Sequence, residues 1–151
     1  MNSSPPLLML YSGLLLTFIL FTLTYAFVTP ETDMPQTVPK ASISSHVLDT
    51  VAGKPAEGVP ITAFIHMDDQ WKQIGESRTG EDGRVPWVSP NFSLREGTYK
   101  IVFGVEEYYR KKDMECFYPY VEIVFKVNNA TQHYHIPLTL SPFAYSTYRG
   151  S

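Results

Sequence analysis

A chain of 151 residues, 44% hydrophobic and 14% aromatic, is long enough for one ordinary domain with its own core. The formal net charge is -3, so no basic field points to nucleic acid, and the acidic excess is too mild to define a partner. Cys116 is the single cysteine, which excludes an intrachain disulfide, and there is no CxxC, HExxH or glycine-rich phosphate loop.

The chain opens on an apolar segment. Leu7 to Val28 has no charged residue, and the first charged side chain is Glu31. A run of roughly 22 residues is enough to span a bilayer. Its densest part, Leu14 to Leu23, has the size of the hydrophobic region of a signal peptide. Thr24-Tyr25-Ala26 then places small residues where a signal peptidase cuts. No Lys or Arg precedes the run, whereas Glu31 and Asp33 follow it, which leans towards translocation of the folded part. Residues 1–28 are therefore expected to be a signal peptide or a transmembrane anchor. Membrane contact is expected through residues 7–28 only. The expected location is extracytoplasmic, exported or membrane-anchored, with peroxisome or cytosol as the alternative if the leader is inert. Pro30, Pro35 and Pro39 make residues 29–40 a linker, so the folded domain is expected over 41–151.

Past the linker the pattern is that of short strands. Ile43 to Asp49 is a candidate, closed by the turn signal Ala52-Gly53-Lys54-Pro55. Val59 to Met67 is rich in β-branched and aromatic residues, and Trp71 to Thr79 alternates in part. Gly80-Glu81-Asp82-Gly83 reads as a loop, and Gly97 to Val105 as another strand. Glu106 to Met114 is polar without Gly or Pro and suits a short helix. Tyr118 to Val127 and His133 to Ser141 are the clearest strands. Strands joined by turns, with one helix, suggest an all-β sandwich of two sheets.

Alternation gives the last strand chemical content. Tyr134, Ile136 and Leu138 point one way, and His133, His135, Pro137 and Thr139 the other. The first set can enter the core. The second puts two imidazoles and a hydroxyl on a face that makes sense if it lines a cleft or meets another subunit. His133-x-His135 is half of a zinc pattern, but no acidic or Cys partner stands at ligand spacing, so no metal is expected. His46, in an early strand, and Arg84, after a turn, are further polar candidates; alone, each is compatible with an ordinary structural role.

Four stretches carry a resemblance: SSHVLDTVAGKPA (Ser44 to Ala56), EDGR (Glu81 to Arg84), FYPYVEIVF (Phe117 to Phe125) and HYHIPLTLSPFAYSTYRGS (His133 to Ser151). Together they resemble the 5-hydroxyisourate hydrolases, the enzymatic branch of the transthyretin-like family, over roughly Ala41 to Ser151. Transthyretin proper looks different at the polar positions, with Lys for His46, Glu for Arg84, Thr for His135 and no terminal YRGS. The resemblance implies a sandwich of two four-stranded sheets with one short helix. It also implies a homotetramer with active sites in the channel between dimers, and no cofactor. The implied reaction is hydrolysis of the ring of 5-hydroxyisourate, a product of urate oxidation in purine catabolism. The implied catalytic residues are His46, Arg84, His135 and Ser151. Substrate would be held by His46, Arg84 and Tyr148, with Arg149 and Gly150 shaping the tail.

The chemistry suits these residue types. Imidazole accepts a proton from water near neutrality. A guanidinium fork clamps a carbonyl or steadies oxyanion charge. Tyr148 can hydrogen-bond a ring and Ser151 can orient a His or the water. Thr139 departs from the apolar residue of many relatives and is expected to make the channel wetter. Asn91 and Asn129 begin glycosylation sequons that matter only on a eukaryotic secretory route. The alternative function is an exported transthyretin-like binder of a small ligand, which the leader favours and the four polar positions oppose.

Overall fold

The computed structural model describes residues 42–150. The leader and linker expectations, and the role given to Ser151, fall outside the described residues. Among those described, no helix is long and apolar enough to cross a membrane.

Two sheets form the architecture. In chain order the elements are β1 (Ile43–Asp49), β2 (Lys54–Pro55), β3 (Pro60–Met67), β4 (Gln70–Arg78), β5 (Arg84–Val85), β6 (Gly97–Phe103), α1 (Val105–Arg110), β7 (Val121–Val127), β8 (Tyr134–Ser141) and β9 (Ala144–Thr147). One sheet runs β2-β1-β8-β9, with β5 also paired to β1; the other runs β4-β3-β6-β7. The implied sandwich with a short helix is present, and β5 is an additional short strand on the first sheet.

Inner faces follow the period of two. Val47, Ile61, Ile101, Phe103, Leu138 and Leu140 are fully buried, all from alternating positions on β1, β3, β6 and β8. Removing such side chains from water is the main stabilising contribution, about 1.5–3 kcal/mol each. On β8 the expected split is observed: Tyr134, Ile136 and Leu138 are buried, and His135 and Thr139 are half-buried on the other side.

Departures from the expected boundaries have local causes. The last strand of the second sheet begins at Val121 rather than Tyr118, because Pro119 has no amide to offer a ladder. The helix stops at Arg110 instead of reaching Met114. Asp113 takes a left-handed conformation (φ 54°), and the Met114 amide closes back on the Tyr109 carbonyl at 3.1 Å. Asp68 and Asp69 both have positive φ, the geometry of a two-residue hairpin turn between β3 and β4.

Asp49 locks the end of β1. It is 2% exposed, and its Oδ1 accepts the amides of Val51 and Ala52 at 3.0 and 2.9 Å. Its Oδ2 accepts from Tyr108 Oη at 2.9 Å and Lys112 Nζ at 3.1 Å, both on or just after α1. Burial alone would push this carboxyl up, but the bonds from Ala52, Tyr108 and Lys112 together hold it below its ordinary value. Asp49→Ala is expected to cost about 3–5 kcal/mol in urea denaturation, because it strands a lysine and a phenol beside two open amides. An unchanged midpoint would show that the network contributes nothing.

Candidate active site

The site is built by strand register. β1 and β8 run parallel, pairing Ser44 with His135 and His46 with Pro137. Side chains at paired positions share a face, so Ser44, His46 and His135 emerge together on the outer face of the first sheet. β5 pairs antiparallel to the same strand and puts Arg84 opposite His46. A fourth segment arrives from the C-terminal side. β9 pairs Thr147 with Leu138, and the same register continues to a bridge between Gly150 and His135. Tyr148 therefore comes opposite Pro137, on the histidine face, and is 63% exposed. Arg149 falls on the inner side, where its guanidinium lies 5.3 Å from the Tyr134 ring centroid and reaches Gln132 Oε1 at 3.2 Å.

Two glycines permit this assembly. Gly83 has φ 72°, and a Cβ there would lie 2.4 Å from the Val47 carbonyl oxygen. Without one, that turn docks on β1: the Val47 amide donates to the Gly83 carbonyl at 2.8 Å, and Asp82 Oδ1 accepts the Arg84 amide at 2.9 Å. The EDGR motif is thus a device for setting Arg84 beside His46. Gly150 meets the His135 ring, and a Cβ on it would come within 2.3 Å of Cδ2. Its amide donates to the His135 carbonyl at 2.9 Å, which straps the tail to β8.

The histidines differ in surroundings. Nε2 of His46 is enclosed and has no hydrogen-bond partner among the described residues. His135 is bonded through Nδ1 to Ser44 Oγ at 2.8 Å. Burial lowers its pKa below the ordinary imidazole value, and the positive fields of Arg84, His133 and His46 lower it further. A neutral imidazole at neutral pH, a second with an unpartnered nitrogen and a guanidinium share one face. Such a set can take a proton from water and stabilise negative charge on an oxygen.

The register thus brings His46, Arg84 and His135 onto one face, with Tyr148 following β9 and Gly150 of the tail bridged to His135. It adds Ser42, Ser44 and His133. Ser44 Oγ bridges the two histidines, 2.8 Å from His133 Nε2, and Ser42 Oγ is 2.9 Å from His133 Nδ1. The alternations Ser42-x-Ser44 and His133-x-His135 were the available signal, but only the parallel register makes them neighbours.

A two-sheet sandwich carrying a His-Arg-His cluster on one outer face defines a transthyretin-fold protein with a polar face in place of an apolar one. The profile of the HIUase/Transthyretin family matches residues 43–150, and the chain belongs to that family. A probable 5-hydroxyisourate hydrolase of Caenorhabditis elegans is 54% identical over 137 residues, covering 91% of this chain and 100% of the relative. That match is longer than the described stretch and so reaches into the residues before 42. The 5-hydroxyisourate hydrolase of Mus musculus is 42% identical over 111 residues, 72% of this chain and 94% of the mouse protein. Among solved structures, Klebsiella pneumoniae 5-hydroxyisourate hydrolase superposes with a TM-score of 0.66 at 27% identity, covering 74% of this chain and 99% of that one. Sea bream transthyretin in complex with thyroxine gives 0.68 at 27% identity, covering 72% and 93%. Fold likeness alone therefore does not separate enzyme from carrier; the residues on the outer face must.

Proposed function

We propose that this protein hydrolyses 5-hydroxyisourate to 2-oxo-4-hydroxy-4-carboxy-5-ureidoimidazoline. The convergence of His46, Arg84 and His135 on one face carries this reading, and the names of the relatives agree with it. Water is deprotonated by the histidine pair, with the neutral His135 as the base that meets it. The resulting hydroxide attacks the ring carbonyl. Arg84, opposite His46, holds the oxygen on which negative charge develops. Collapse of the tetrahedral species breaks the ring C–N bond, and the departing nitrogen takes up a proton from solvent, which replaces the one removed from the attacking water. No metal or cofactor is needed for this sequence of steps.

A homotetramer, with this polar face lining a channel between dimers, fits the surface. Val124 on β7 and Tyr145 on β9 are exposed at sheet edges, as are Phe117 and Phe143 nearby. Edges of that kind call for a second copy. A cavity of about 320 Å³ lies between β7, β8 and the tail, lined by Ile123, Phe125, Tyr134 and Ile136, on the inner side of β8 rather than on the histidine face. Export through residues 1–28 remains part of the proposal, resting on the apolar run from Leu7 to Val28. The binding-protein reading draws on the equal likeness to sea bream transthyretin, but three ionisable groups on the face suit a polar substrate better than an apolar ligand.

The test is decay of freshly generated 5-hydroxyisourate, followed by absorbance. Decay no faster than in buffer alone would remove the hydrolase reading. The pH profile gives a second criterion. Catalysis needs neutral His135, and burial together with neighbouring positive charge lowers its pKa from 6.5. Protonation on acidification should therefore cut kcat/KM only below pH 6.5, so the acid limb lies on that side. An acid limb centred above that value would contradict the assignment of His135 as base.

A further inference from the structure

We propose that His133 is a positioning residue for the reaction: through Ser44 it holds His135 in the tautomer with a bare Nε2 and carries the captured proton to solvent. This rests on His135 being the base. Ser44 Oγ stands 2.8 Å from both His133 Nε2 and His135 Nδ1, and Ser42 Oγ 2.9 Å from His133 Nδ1. A hydroxyl has one proton to donate, so the four groups must order their protons together. If Nε2 of His135 is to accept a proton, Nδ1 must carry one and donate it to Ser44. Ser44 then donates to Nε2 of His133, and Nδ1–H of His133 donates to Ser42. In the opposite ordering, His135 carries its proton on Nε2 and cannot act as base there. The state of the outer histidine therefore selects that of the inner one.

The same chain of atoms can move charge. When Nε2 of His135 takes a proton from water, the ring is cationic. Its Nδ1 proton can pass to Ser44 Oγ as the Ser44 hydroxyl proton passes to His133 Nε2. His135 is then neutral again, with its proton on Nε2, and His133 carries the charge. No bond other than O–H and N–H changes, and no other reagent is required. The outward direction follows from the surroundings. His133 is exposed and His135 half-buried. The cationic form of His135 also faces Arg84 from β5 and His46 from β1, both of which disfavour it. Of the other residues on this face, Gly150 offers only backbone. Arg149 lies on the inner side against Tyr134.

The test compares the full-length protein with His133→Gln, His133→Ala, Ser44→Ala, Ser44→Ala/His133→Ala and His135→Ala, in dilute buffer with and without added imidazole. Glutamine at 133 can still hydrogen-bond Ser44 but cannot carry a proton. Both His133 variants should lose on the order of 10-fold in kcat with KM unchanged. Imidazole should restore most of that loss and leave the wild type unaffected. The double variant should be no slower than the slower single one, because both sever one path. Wild-type kcat in His133→Gln, or a loss that imidazole does not restore, would overturn the relay. His135→Ala separates the two levels: if it turns over normally, the base assignment fails. If it is inactive while His133→Gln is normal, only the relay fails.

Discussion

His46→Ala and His135→Ala are each expected to lose on the order of 10²-fold or more in turnover of 5-hydroxyisourate, the range for removing a general base. Both should fold. The two side chains leave β1 and β8 on the outer face, whereas the core is built by alternate positions such as Val47, Ile136 and Leu138. Neither imidazole fills a core position, so no large cavity opens and melting temperatures should stay close to the parent. His135→Ala should be the more damaging, because it also removes the partner of Ser44 and the ring on which Gly150 rests. Circular dichroism with single-turnover absorbance separates folding from chemistry. Wild-type decay rates in both variants would dismiss the catalytic pair.

Deletion of Tyr148 to Ser151 is the second large effect. The ladder of β9 ends at Thr147, so removing the four residues takes away no core strand. It does remove the Gly150 strap on His135, the Arg149 contacts with Gln132 and Tyr134, and the Tyr148 ring from the histidine face. Ordering a terminal segment costs conformational entropy, about 1–2 kcal/mol per residue, which those contacts must offset. Stability should therefore change little, while turnover falls by a factor like that of losing His135. Gly150→Ala is the milder form of the same experiment: its Cβ cannot coexist with the present His135 ring position. Near-normal activity in the deletion would take the tail out of the site and move weight to ligand binding.

Long, periodic strands were legible from residues alone. Ile43 to Asp49 has the observed bounds, and the face of His135 follows from counting by twos. The two-residue strands β2 and β5 were not legible as strands. Their residues gain strand geometry only by pairing with β1, a tertiary effect that no local propensity encodes. For the same reason residue type alone left Arg84 an ordinary turn charge; the resemblance named it for the site, and the register sets it opposite His46. Ser42 and Ser44 offered only the alternation of two serines, an ordinary pattern at the start of a strand. Their importance comes from a partner some 90 residues away. β9 was not separated from β8, because the strand expectation stopped at Ser141 and Ala144–Thr147 takes strand geometry by folding back on β8.

The parallel pairing of β1 with β8 has a consequence for how activity is acquired. Such a pair cannot close as a hairpin; here its crossover is the entire second sheet. Contacts this distant along the chain are paid for in loop-closure entropy and form late. During synthesis His46 emerges early, yet the face it belongs to does not exist until β8 and the tail have left the ribosome. Each molecule therefore becomes competent only at the end of folding, and partly made or nicked chains lacking residues beyond 133 should be inert rather than weakly active. The β7 side of the sandwich, completed earlier, must meanwhile wait with apolar residues uncovered, which makes that interval the one in which aggregation competes with assembly.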